Sequence, residues 1–193
     1  MIPFFLVMLL FGCESETILP VELANTNSSK NIKMKTVFTD AWDDWEFEIN
    51  GSDIDVETAF TNDWDNWDIE GDEIDADLQT NFSEDWDSWT LKSGDYTIKL
   101  RTGFNNDWDN WDVDDYANGW HADVQTSFSE NWDDWDVSFD NGHLDVRTSF
   151  SDDFDNWDAY GEFPEGTPME YKVAVLFIPV ITHVLMRKGL ISP

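Results

Sequence analysis

The sequence predicts an all-β fold: an antiparallel meander of about 12 short strands from six 22-residue repeats, curled or barrel-like, with one C-terminal hydrophobic helix packed on or inside the sheet. Three observations predict it. Phenylalanines recur at 38, 60, 82, 104, 128 and 150, a step of 22 residues that is once 24, the signature of a repeat architecture. Within each copy apolar and acidic residues alternate, as on a strand buried on one face. After Trp157 the repeat stops, and Tyr171 to Met186 is apolar on all sides, as a buried helix is.

The charge sets the physical regime. The chain has 193 residues, 42 Asp+Glu against 10 Lys+Arg, and a formal charge of −32. Acidic chains that stay disordered usually lack aromatic residues, whereas this one carries 12 Trp and 14 Phe. A charge of this sign repels phosphate backbones, which excludes nucleic acid as a partner. Residues 36 to 160 hold 36 of the acids and only Lys92, Lys99, Arg101 and Arg147 as bases. The whole formal charge therefore sits on the repeats, where cross-strand neighbours repel and salt or bound cations must relieve them. Lys33 and Lys35 are expected opposite Glu46 and Glu48.

Residues 1–12 read as a lipoprotein signal peptide. Met1 to Phe11 is an apolar stretch too short to span a bilayer and of the length of a secretory core segment. Leu10-Phe11-Gly12-Cys13 resembles the lipobox of bacterial lipoproteins, although no Lys or Arg precedes the apolar stretch. The resemblance covers about the first 13 residues and implies cleavage before Cys13, acylation of that cysteine, and a lipid-anchored place in the bacterial cell envelope, at the outer membrane or cell surface. Glu14 and Glu16 resemble the export signals of some surface lipoproteins. Residues 13–30 then read as the lipidated Cys and a tether.

The repeat domain spans 31–162. Each copy places Thr two residues before the Phe, then a Trp-Asp-x-Trp segment with Trp45, Trp67, Trp89, Trp111, Trp135 or Trp157 as its second indole. The first aromatic is Trp42, Trp64, Trp86, Trp108, Trp132 or Phe154, and an Asp follows it in all six copies. One joint per period carries turn chemistry: Asn50-Gly51, Glu70-Gly71-Asp72, Ser93-Gly94, Asn118-Gly119 and Asn141-Gly142. Asn-Gly between alternating strands predicts an antiparallel hairpin. A β-solenoid has a similar period, but it stacks like charges in unrelieved ladders. At the other joint, Phe, Trp and Trp at i, i+4 and i+7 are expected on one side of a single capped helical turn, with Thr39, Thr61, Ser83, Asn105, Ser129 and Ser151 as caps.

Residues 163–193 form the C-terminal hydrophobic helix segment. Thr167-Pro168-Met169-Glu170 reads as a capping box, Pro179 as a kink and Gly189 as a helix end. The economical arrangement is a sheet curled around this helix, and a membrane-seated tail is the alternative.

No catalytic constellation is legible: His121, His143 and His183 are scattered, and the carboxylates recur in equivalent environments. The expectation is a non-catalytic interaction module for divalent cations or glycans. The alternative is a structural lipoprotein whose apolar C-terminus docks in a membrane or partner protein. Clustered oxygens suit Ca²⁺ or Mg²⁺, which singles out Asp63, Asp65, Asp68, Asp85, Asp87, Asp107, Asp109 and Asp112. For the Asp between the aromatics, capping of its own turn is the competing role. Indoles beside carboxylates also suit sugar rings, and Trp120, outside the repeat pattern, is the aromatic expected to stack on a ligand such as a glycan; another envelope protein is a further expected partner.

Overall fold

The computed structural model describes residues 32–192; Cys13, the lipobox and the 13–30 tether lie outside them. The first six strands are β1 (Ile32–Thr36), β2 (Asp44–Ile49), β3 (Ser52–Thr58), β4 (Asn66–Gly71), β5 (Ile74–Thr80) and β6 (Ser88–Ser93). They are followed by β7 (Tyr96–Thr102), β8 (Asn110–Asp115), β9 (Trp120–Thr126), β10 (Asp134–Phe139), β11 (Gly142–Thr148) and β12 (Asn156–Glu162). Every strand pairs antiparallel with its sequence neighbours, and β1 also pairs with β12, so the meander closes into a barrel. The antiparallel pairing removes the solenoid alternative.

Period two puts one residue in two inside. Trp45, Phe47 and Ile49 on β2, Ile74, Ala76 and Leu78 on β5, and their counterparts on the other strands point into the lumen and are buried. Eight strands already enclose a space that their own side chains can fill, and the interior widens with each further strand. Here α1 (Met169–Lys188) occupies the excess, and every residue from Val173 to Leu185 is buried. Rings reach it from different sides of the barrel. Phe177 meets Trp67 and Trp89 edge-on at 5.2 and 6.0 Å, and the Tyr171 hydroxyl donates to the Val113 carbonyl at 2.8 Å. His183 stacks on Phe154 at 3.7 Å and meets the edge of Trp42. The apolar surface that a membrane-docking tail requires is thus used inside the barrel. The polarity is also the reverse of a transmembrane barrel, whose apolar band faces outward.

The helix ends as expected but starts differently. Gly189 adopts φ 71°, and the Gly189 and Leu190 N–H groups donate to Met186 and Leu185, a left-handed C-terminal cap. The capping box does not form: Thr167 donates its hydroxyl back to the Pro164 carbonyl, and Glu170 accepts from Ser93 Oγ at the barrel mouth. Pro179 lies inside one continuous 20-residue helix.

The hairpin turns differ in chemistry. Asn50-Gly51 has both φ values positive, at 56° and 89°, as a type I′ turn requires. The next turn is Asp72-Glu73, while Gly71 lies in β4, where a Cβ would sit 3.0 Å from the Asp53 carbonyl oxygen. The last is Asp140-Asn141, with Gly142 already in β11. At Gly161, at φ 117°, a Cβ would lie 2.4 Å from the His143 carbonyl oxygen, so close strand approach fixes this glycine.

The outer face is unevenly charged. Lys35 bonds Glu46 at 3.0 Å, and Lys33 stands opposite Glu48. On β2 to β5, by contrast, ten carboxylates form seven directly opposed acid pairs, among them Glu46↔Asp55, Asp55↔Glu70, Glu57↔Asp68 and Asp68↔Asp77. Partial burial, then repulsion from Asp44, Asp68 and Glu70, raises the Glu57 carboxyl above its ordinary value. Bases return on β6 and β7 with Lys92, Lys99 and Arg101.

Asp55→Lys replaces two repulsive pairs with attractive ones. It is expected to raise stability by about 0.5–2 kcal/mol at 10 mM salt, with the gain shrinking at 500 mM; thermal melts at the two salt concentrations measure it. The buried His183 titrates in the opposite sense. Burial, helped by Arg187, pushes its imidazole down to about 3, while Arg187 Nε donates to its Nε2 at 3.3 Å. The unfolded chain binds this proton near pH 6.5, so the contribution is complete above that pH and drains as pH falls toward 3. Between pH 6.5 and 4 the wild type should lose on the order of 2–3 kcal/mol relative to His183→Phe, read from denaturant melts of both proteins.

Candidate functional site

The six joints after the odd-numbered strands of hairpins β1–β2 through β11–β12 all lie at one end of the barrel, because the meander alternates direction. Each joint is two consecutive turns rather than the expected helical turn. In the first, the carbonyl of the Phe accepts from the residue three ahead at 2.9–3.0 Å; in the second, that residue's carbonyl accepts at 3.2–3.4 Å. The third residue of the first turn is left-handed in all six copies: Asp40, Asn62, Glu84, Asn106, Glu130 and Asp152, at φ 60–62°. A type II turn requires this sign, and glycine usually provides it; none of the six is glycine.

The double turn sends the three aromatics in different directions. The second indole of each copy points into the lumen and is buried, its N–H donating to the carbonyl of the first aromatic at 2.8–3.0 Å. The first aromatic is half-buried in five copies, packs against the second at 5.9–6.3 Å where the ring pair is close, and closes the lumen. The phenylalanines, expected beside them, turn outward and are 69–77% exposed. The reason is the position of the turn: the strand ends at Thr, and the chain has begun to reverse at Phe. The result is a crown of six exposed Phe rings. In its centre the helix ends, with Lys188 Nζ 4.3 Å above the Trp64 ring and Arg187 near Trp42 and Phe154.

The Asp between the aromatics ties each joint to the next. Its carbonyl accepts from the Thr N–H of the following copy in all six, with Asp155 returning to Thr36. Its carboxylate reaches the left-handed residue of the next joint: Asp65 accepts from Glu84 N, Asp87 from Asn106 N and Asp155 from Asp40 N. Asp155 also accepts from Trp42 Nε1 at 2.8 Å across the closure between β12 and β1. These aspartates cap a turn, but the neighbour's rather than their own.

No family model, curated protein or solved structure matches this chain. The chemistry of its own side chains therefore carries the functional reading.

The aspartates singled out from sequence are dispersed. In the joint before β4, Asp63 opens the second turn, Asp65 reaches the next joint, and Asp68 lies on the barrel wall opposite Glu57 and Asp77. Asp85 and Asp87 divide in the same way, with Asp87 bonded to Thr102 Oγ1 and Asn106 N. Asp107 and Asp109 do meet: partial burial and the adjoining Asp109 carboxyl hold Asp107 above the usual carboxylate range. Asp112 is on the wall, grouped with His121 and Asp123. Trp120 is half-buried at the opposite mouth, its ring 6.0 Å from Tyr171.

Sequence reasoning missed two features. The Phe crown had one signal, the polar residue two places after each Phe in a position that must turn. The histidines acquire partners only once register is known: His121 lies opposite Asp114, and His143 beside Asp145. Asp114 is the hub of the first group. Burial opposes its ionisation, but hydrogen bonds from His121, Tyr116 and Arg101 outweigh it and hold the carboxyl below its ordinary value.

Asp87→Ala removes the acceptor for Thr102 Oγ1 and Asn106 N. A cost of about 1–3 kcal/mol is expected, together with faster amide exchange at Asn106; melting and residue-resolved hydrogen exchange read the two.

Proposed function

We propose that this protein is a non-catalytic, lipid-anchored binding module of the bacterial envelope, and that its Phe crown engages glycan chains. One observation carries the reading: six equivalent joints each hold out an exposed aromatic ring beside hydroxyl, amide and carboxylate side chains. Sugar rings stack on aromatic faces and bond such groups through their hydroxyls. Repetition suits a polymer, because linked weak sites gain by effective concentration. The exposed phenylalanines take this role ahead of the indoles, because the second indoles are buried and Trp120 is half-buried. Carboxylates that recur from copy to copy argue against a single privileged hydrolytic pair. The lipobox supports the anchor and the envelope location.

Divalent cation binding in the joints is the second reading, and the adjoining Asp107 and Asp109 give it its best position.

The test compares wild type, a variant with all six crown Phe replaced by Ser, and Trp120→Ala on a glycan array and on insoluble polysaccharides. Wild-type binding is expected to fall at least tenfold in the six-Ser variant, with little change in melting temperature because these rings are exposed. Binding that survives the six replacements refutes the crown, and loss only in Trp120→Ala moves the site to the opposite mouth.

A further inference from the structure

The outer wall carries a feature that recurs in two adjacent hairpins. On β8 and β9, Asp112 is directly opposite Asp123, and His121 precedes Asp123 by two residues on the same face. On β10 and β11, Asp136 is opposite Asp145, and His143 precedes Asp145 by two. In each group one atom from each side chain lies within 4.8 Å of the other two. His121 Nε2 is 3.4 Å from Asp123 Oδ1; His143 Nε2 is 2.9 Å from Asp145 Oδ1 and 3.7 Å from Asp136 Oδ1. Ligands of a tetrahedral ion with bonds of about 2.1 Å stand about 3.4 Å apart, so small rotamer changes close either set.

We propose that these two triads, Asp112–His121–Asp123 and Asp136–His143–Asp145, each bind a divalent transition-metal ion of the zinc class. One imidazole nitrogen and two carboxylate oxygens form a mixed set that suits zinc or copper better than calcium or magnesium, which prefer oxygen alone. The first triad is also oriented. Asp114 Oδ1 holds His121 Nδ1 at 2.9 Å, and Arg101 and Tyr116 in turn hold Asp114. With its N–H directed at Asp114, the neutral imidazole turns the Nε2 lone pair toward Asp123, as a carboxylate does for a metal-bound histidine. In the second hairpin Ser138 stands opposite His143 on β10, and the carboxylate opposite it is Glu162 on β12. The two positions are separated by two strand spacings, about 10 Å, and by a two-residue step along the strands, too far for a two-metal centre sharing one substrate. Each ion instead fastens its own hairpin and offsets two opposed carboxylates.

Cu²⁺ titration of the purified protein, followed by electron paramagnetic resonance, tests this without any variant. Nitrogen hyperfine structure from one imidazole per ion is expected, and its absence overturns the proposal. Zn²⁺ calorimetry in 5 mM Mg²⁺ should show two ions per chain, one lost in His121→Asn and the other in His143→Asn. Asp114→Asn should weaken only the His121 site, by about 10- to 100-fold. Zinc binding that both histidine variants retain, or that Mg²⁺ abolishes, assigns it to the general acidity of the wall and refutes the two sites.

Discussion

The space enclosed by twelve strands is the constraint on which the molecule depends, because it exceeds what one inward side chain per two residues can fill. The chain meets it with two kinds of filler. Six indoles project from the even-numbered strands, and a helix buried over Val173 to Leu185 runs inside, nearest β5 to β9. Indoles suit the task because they bring large area at little entropic cost, provided their one N–H is bonded. That condition fixes the joint: the carbonyl that receives each N–H belongs to the aromatic residue three positions earlier, so the double turn and the core indole are required together.

The ring of joints follows from the same arrangement. Each joint leaves a left-handed residue that is not glycine, and the aspartate of the preceding joint reaches that residue's N–H in the copies beginning at Asp65, Asp87 and Asp155. The crown is accordingly a stiff collar. Its phenylalanines point outward and contribute little to the core. Charge is managed separately on the wall, by lysines at the closure, by bases on β6 and β7, and by histidines between paired aspartates on β8 to β11.

What was legible in the sequence was what local periodicity encodes. Alternation over residues such as Ile54, Val56 and Thr58 located the strands, Asn50-Gly51 indicated a hairpin, and the apolar run after Tyr171 gave a helix needing cover. The outward Phe could not be read from spacing, because i, i+4, i+7 describes a helix and the backbone turns instead through a left-handed residue. Asp65 and Asp155 were recognisable as capping residues, but their partners are 19 and 115 residues away. The His121 and His143 groups have the same origin: cross-strand register brings them together, and register is a property of the closed sheet. Even two hairpin turns shifted by a residue, because Gly71 and Gly142 belong to strands instead.

The order of the elements along the chain has a kinetic consequence. All twelve strands precede the helix that fills them. A nascent chain emerging at roughly 5–20 residues per second exposes six hairpins before residue 169 appears, and until then closure would enclose an unfilled space. The wall can begin to pair, but it gains its full stability only when residues 169–188 enter, so the repeats meet before they lock.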